Sequence, residues 1–185
     1  MSVFRLSKRY AISLLEMANE QKKLDTIFKD MQSIVAHTEE NRDLKMLLKS
    51  PIISSDKKSA SLNAIYGGKV DELTSKFFQL TLAKKREGIL IDIAKEFINE
   101  YHNFKGIVRA TLTTAVNIDS ALRNKIKVQV ENETKKTVEF TEQIDKDIIG
   151  GYILEYDNKL LDASVTHQLN QIRNKFSKNE FIKII

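Results

Sequence analysis

The chain has 185 residues, 42% of them hydrophobic and 30% charged, with one proline, six glycines and neither cysteine nor tryptophan. This is the composition of a folded chain with its own core, and it excludes the disordered, collagen-like and disulfide-scaffolded classes. The absence of cysteine removes the thiolate nucleophile, the cysteine redox pair and the thiolate zinc cage, and the net charge of +5 is spread over interleaved acids and bases.

No run approaches the ~18 consecutive apolar residues of a bilayer-spanning helix. The first twenty residues carry Arg5, Lys8, Arg9, Glu16 and Glu20 among apolar positions, which reads as the first helix of a mature, unexported chain. From residue 4 to residue 104 the apolar residues keep a helical period, predicting roughly six helices. The first carries Leu6, Tyr10, Leu14 and Met17, its apolar arc widened by Ala11, Leu15 and Ala18. The second places Leu24, Ile27, Phe28, Met31, Ile34 and Val35 on one face, with Lys22, Lys23, Asp25, Lys29 and Asp30 expected in water.

A short third helix with Leu44, Leu47 and Leu48 stops near Ser50, because Pro51 disfavours helical geometry in the residue before it. Ser54 or Ser55 then caps a fourth that ends at Gly67-Gly68. Asp71 caps a fifth, with Leu73, Phe77 and Leu80 on one side and Phe78 and Leu82 on another. A helix apolar on two faces is either fully interior or touches its own bundle on one side and a partner on the other; periodicity favours the interior. The sixth carries Leu90, Ile93, Ala94, Phe97, Tyr101 and Phe104 on one stripe.

At Gly106 the period becomes alternating, dividing the chain into residues 1–105 and 106–185. Val108, Ala110, Leu112, Thr114 and Val116 share one face of a strand. Asp119 caps a helix with Leu122, Ile126 and Val130, and Val138, Phe140 and Ile144 mark a second strand. Gly150-Gly151 lets a third strand, Tyr152 to Tyr156, begin with a sharp bend or another backbone approach closely, and Asp157-Asn158 suits a hairpin. Ser164 caps a last helix carrying Val165, Leu169, Ile172 and Phe176 at i, i+4, i+7 and i+11. The expected fold class is α+β, an N-terminal six-helix bundle followed by a small C-terminal α/β domain.

Chemistry is sparse. His37, His102 and His167 are far apart and read as solvent-facing helix residues rather than metal ligands. Neither glycine pair stands in a phosphate-cradling frame. Asp145 with Asp147, and Asp157 with Asp162, sit in wet, turn-like settings unsuited to acid-base work. Serines 50, 54, 55, 59 and 61 lack a nucleophile elbow. No catalytic, cofactor or metal residue is expected. A basic nucleic-acid-binding module is the alternative reading, opposed by the even mixture of charge around the short Lys84-Lys85-Arg86 run.

Four stretches together resemble a known family: Arg9-Tyr10-Ala11 with Leu14-Leu15-Glu16-Met17-Ala18; Leu48-Lys49-Ser50-Pro51-Ile52; Phe77-Phe78-Gln79-Leu80 running to Lys85-Arg86; and Ile148-Ile149-Gly150-Gly151-Tyr152 running to Leu161-Asp162-Ala163-Ser164-Val165. In order and spacing they resemble the delta subunit of bacterial F-type ATP synthases, counterpart of the mitochondrial oligomycin-sensitivity-conferring protein. Two departures are Tyr156, where the family often has glycine, and Thr166, where it often has arginine.

The resemblance implies a non-catalytic peripheral-stalk subunit at the cytoplasmic face of the bacterial inner membrane. Its first domain would bind the N-terminal helix of an alpha subunit of the catalytic head in a groove between the first and fifth helices. Tyr10, Ala11, Leu14 and Leu15 would line that groove opposite Phe77, Phe78 and Thr81. The second domain would hold the C-terminal ends of the membrane-anchored b subunits. If Phe77 lines the groove, Phe77→Asp abolishes head binding in a folded domain; if it is core, the variant unfolds.

Overall fold

Caps and breakers set the element boundaries. The computed structural model describes residues 3–116, 118–146, 148–157 and 159–177. In chain order these form α1 (Val3–Glu20), α2 (Leu24–Glu40), α3 (Arg42–Lys49), α4 (Ser55–Tyr66), α5 (Glu72–Ala83), a 3-10 turn (Glu87–Ile89) and α6 (Leu90–Lys105). Then follow β1 (Ile107–Thr114), α7 (Ser120–Thr134), β2 (Thr137–Ile144), β3 (Tyr152–Tyr156), β4 (Lys159–Asp162) and α8 (Val165–Ser177). The chain divides into two units after Phe104.

In the first unit, α2 runs through the core: Ile27, Met31 and Ile34 are sealed from water and cluster with Ala11, Leu14 and Ala18 of α1, Leu48 of α3, Phe78 of α5 and Phe97 of α6. The Asn41 side chain accepts the Asp43 and Leu44 amides at the start of α3. Ser50 is extended before Pro51, as its neighbour's ring requires. Ser54 stands at the N-cap of α4 but makes no side-chain capping bond.

The second helix departs from the amphipathic expectation. Asp30 is buried, because its Oδ2 accepts the Asp71 amide at 2.9 Å and the Thr74 hydroxyl at 2.6 Å. Asp71 in turn accepts the Leu73 amide, capping α5, and pairs with Lys23 at 2.9 Å. The amide and then the ammonium hold its carboxyl below the usual range. Asp25 accepts the Tyr101 hydroxyl at 2.7 Å.

His102 is also inside rather than in water: its Nδ1 donates to the Ile98 carbonyl at 2.6 Å, and its ring meets Phe28 and Tyr101 edge-on. Phe104 keeps the spacing of the core stripe but is exposed, in the last turn of α6.

Lys58 is buried, an unusual place for an ammonium. Its Nζ donates to the Leu48 carbonyl at 3.1 Å and pairs with Glu87 at 2.9 Å, tying α3, α4 and the 3-10 turn together. Burial pushes the Glu87 carboxyl up, but the Lys58 hydrogen bond, its own amide and the charges of Lys58 and Lys85 bring it below its ordinary 4.5.

In the second unit β1 is central. It pairs in parallel with β2, from Ile107↔Thr137 to Thr114↔Ile144, and antiparallel with β3, which pairs antiparallel with β4. The strand order is β2-β1-β3-β4, with α7 as the crossover that a parallel pair needs. Val108, Ala110, Leu112, Val138, Leu154 and Tyr156 form one face, covered by Ile126 and Val130 of α7. Val116 lies past the end of β1 and is exposed, as are Leu122 near the start of α7 and Ile144 at the end of β2. Asp119 holds the N-cap position of α7 without a side-chain capping bond. At the β3–β4 hairpin Asp157 takes φ +45°; Asn158, Asp147 and the tail from Phe181 to Ile185 lie outside the described residues.

Gly151 meets both conditions that demand glycine. Its φ is +82°, and a Cβ there would stand 2.3 Å from the Ala163 carbonyl oxygen. This close approach is locked by the Ala163 amide donating to Tyr152 and the Val165 amide donating to Gly150, each at 2.9 Å.

Two outcomes are expected. Gly151→Ala costs the second unit about 1–3 kcal/mol, read as faster amide exchange in β3 and β4. Lys58→Met strands the Glu87 carboxylate and costs the first unit about 3–5 kcal/mol, read by chemical denaturation, with Lys58→Met/Glu87→Met closer to wild type. Because the folded carboxyl titrates below its unfolded value, the pair's contribution is present above that value and is lost as pH falls through the folded one. The double variant should lack this acid-side loss.

Candidate functional site

Residues three and four apart share a helix face, and on α1 that face presents Tyr10, Ser13, Leu14 and Met17. On α5 the same spacing presents Phe77 and Leu80. Together with Arg9 at the rim these residues line a cleft of about 240 Å³ in the first unit. Tyr10 and Phe77 meet edge to face, with ring centroids 6.4 Å apart and planes at 72°, in a favoured aromatic geometry.

The cleft has a dry floor and a wet rim. Leu14 is sealed and Phe77 is 7% exposed, whereas Met17 is 47% and Leu80 46% exposed. The walls are apolar side chains half in water, with one guanidinium beside them. Such a channel suits an amphipathic helix of a partner, whose apolar ridge would dry Met17 and Leu80.

Of the groove residues expected from the sequence, Tyr10, Leu14 and Phe77 line the cleft. Ala11, Leu15, Phe78 and Thr81 point into the core, where the Thr81 hydroxyl donates to the Phe78 carbonyl at 2.8 Å. The neighbouring Ser13, Met17 and Leu80 complete the lining. Met17 and Leu80 stood on the apolar stripes of their helices, and only the direction of those stripes was illegible.

The second unit shows a different surface. The α8 stripe of Val165, Leu169, Ile172 and Phe176 has the period of a core-facing helix, yet all four side chains are exposed, Phe176 by 84%. The Ser164 hydroxyl accepts the His167 amide at 3.1 Å and fixes the helix start. Asp162 accepts the Ser164 amide at 2.9 Å; bonds from Ser164 and then the nearby His167 hold its carboxyl low.

Neither surface gathers titratable groups for proton transfer. Buried Tyr66 packs between His37 and Phe78, and burial pushes its phenol up to about 12. Among the described residues no three His, Asp or Glu side chains are placed to share a metal ion.

A contrast between two substitutions separates floor from rim. Phe77→Asp puts a carboxylate into the core and should unfold the first unit, and Phe77→Ala should cost about 3–5 kcal/mol. Leu80→Asp, at the wet rim, should stay within about 0.5 kcal/mol of wild type, as thermal melts followed by circular dichroism would show.

Residues 6–176 match the family model described as the ATP synthase delta (OSCP) subunit. The chain is 37% identical over 174 residues to the ATP synthase subunit delta of Cytophaga hutchinsonii, covering 94% of this chain and 95% of that one. It is 34% identical over 179 residues to that of Parabacteroides distasonis, covering 97% and 99%. Its fold is similar to that of a chain in the cryo-EM structure of the Toxoplasma gondii mitochondrial ATP synthase hexamer, with a TM-score of 0.72 and 21% identity over 93% of this chain and 97% of that one. The chain belongs to the ATP synthase delta (OSCP) subunit family, a family of structural stator subunits of the F-type enzyme rather than catalysts.

Proposed function

We propose that this chain holds the catalytic head of an F-type ATP synthase to its membrane-anchored stalk through two separate grips. The first unit acts as a six-helix bundle whose α1–α5 cleft takes the N-terminal helix of an alpha subunit. The second, a small α/β domain, holds the C-terminal ends of the b subunits against the exposed stripe of α8. By keeping the head from turning with the rotor, the chain couples rotary proton transport to ATP synthesis.

The observation that carries this reading is the half-exposed apolar rim of the cleft, Met17 and Leu80 over a Tyr10–Phe77 floor. The bacterial origin of the relatives supports a place at the cytoplasmic face of the inner membrane, reached through the complex. No described helix is long and apolar enough to cross a membrane. The nucleic-acid alternative finds no support in the family assignment.

Burying one leucine-sized side chain contributes about 1.5–3 kcal/mol, so Leu80→Asp should weaken binding of a synthetic alpha N-terminal peptide at least ~tenfold by calorimetry, about 1.4 kcal/mol. The same variant should bind the b C-terminal segment normally. Leu169→Asp should show the reverse. Unchanged affinity of Leu80→Asp for the alpha peptide, or no binding of that peptide by the wild type, would overturn the first grip.

A further inference from the structure

A second cleft of the first unit, about 740 Å³ and sharing no residue with the α1–α5 cleft, lies along α3 and the end of α2. Helical spacing puts Arg42, Lys45, Met46 and Lys49 within an arc of about 100°, opposite the buried Leu44 and Leu48. All four are exposed, Met46 by 58%.

Among the described residues Arg42, Lys45 and Lys49 make no ion pair, whereas some other cations of this unit do, although the charge of Lys45 also acts on the Glu39 carboxyl. Lys8 pairs with Glu100, Lys23 with Asp71, Lys76 with Glu72 and Lys95 with Glu39. Glu39 lines the same cleft, but its carboxylate is engaged by Lys95 at 2.7 Å. Asp43, the only acid on α3, lies in the first turn with its amide bonded to the Asn41 cap. The cleft therefore combines a surplus of positive charge with one exposed, flexible apolar side chain, Met46.

We propose that this cleft is a further docking surface, taking an acidic amphipathic helix of a partner subunit whose carboxylates face Arg42, Lys45 and Lys49 and whose apolar anchor covers Met46. The charge selects an anionic occupant. The concavity selects an inserted segment over an anionic lipid surface, which meets a protein as a plane. Thioether plasticity lets Met46 fit an aliphatic or aromatic anchor. The inference does not depend on what fills the α1–α5 cleft.

The test uses the full chain and a fluorescent helical peptide bearing Glu at i, i+3 and i+7 and Leu at i+4, followed by anisotropy. The wild type should bind it. Affinity should fall at least ~tenfold as the Debye length shrinks from about 30 to about 8 Å, and a peptide with Gln for Glu should not bind. Arg42→Gln/Lys49→Gln should lose at least ~tenfold and Met46→Ser several-fold, both variants keeping the wild-type circular dichroism. Lys84→Gln/Arg86→Gln, which neutralises an exposed basic run elsewhere, should bind normally, and so should Leu80→Asp.

The proposal is overturned if the Lys84/Arg86 control loses as much as the Arg42/Lys49 variant, or if Met46→Ser changes nothing. Tighter binding to phosphatidylglycerol vesicles than to the peptide, abolished by the Arg42/Lys49 variant, overturns it in favour of a membrane. In assembled ATP synthase, a photo-cross-linker in place of Met46 should capture an acid-rich segment of another subunit; capture of lipid, or of no subunit, overturns it equally.

Discussion

The first unit depends on one buried carboxylate. Asp30 sits on α2 among apolar neighbours and is tolerated there because two donors from the start of α5 saturate one of its oxygens. Hydrogen bonds to a charged group are worth about 1.5–3 kcal/mol each, and removing either partner leaves a charge in a dry place. The contact pins the N-terminus of α5, which Asp71 caps with its own carboxylate while its amide serves Asp30. Since α2 packs α1 on the same core, both walls of the α1–α5 cleft are referenced to one helix. The aromatic floor of Tyr10 on Phe77 follows from that placement.

The two proposed grips are built differently. The cleft is a concave feature of a unit whose helices are already sealed, so it asks a partner to fill a preformed shape. The α8 stripe is a projecting helix face with no buried residue among its described side chains. A contiguous run of exposed aliphatic and aromatic groups is a liability for a chain alone and an asset in a complex. In the proposed grip, covering this stripe would help to stabilise the assembly, and the Ser164 and Asp162 bonds at its start fix the beginning of the helix.

Local chemistry was legible in part, since Ser54 and Asp119 stand at their N-cap positions without a side-chain capping bond, and direction was not legible. Pro51 ends α3 and Asp71 caps α5 because a ring and a carboxylate act on their immediate neighbours. The demand for glycine at 151 was legible as a glycine pair before a strand, although which of bend or close approach required it was open; the φ and the Ala163 carbonyl show both. Asp30 and His102 were misplaced in water because periodicity assigns polar residues outward by default. Each is inside because of a donor or ring supplied from a distant part of the chain. The stripes of α1 and α5 were correctly apolar, but a stripe does not say which of its residues face the core, and four of the seven expected groove residues turned inward. The α8 stripe shows the same ambiguity from the other side: its spacing is that of a buried helix and its environment is solvent.

A stator must resist dissociation for far longer than a rotor step, and one apolar cleft does not easily supply that. Its exposed rim offers Met17 and Leu80, with part of Tyr10, at about 1.5–3 kcal/mol per buried side chain. A nanomolar complex corresponds to about 12 kcal/mol after the cost of association, itself about 4–15 kcal/mol, has been met. The partner's own anchors add to the total, yet the margin for a single site under torque is thin. Two grips on one chain change the arithmetic, because release of one leaves its partner tethered nearby at high effective concentration, and avidity then exceeds either affinity by about 10²–10⁴. On the proposed function, endurance would come from holding two neighbours at once, which would be a reason for one chain to carry two units with unlike binding faces rather than one unit with a larger cleft.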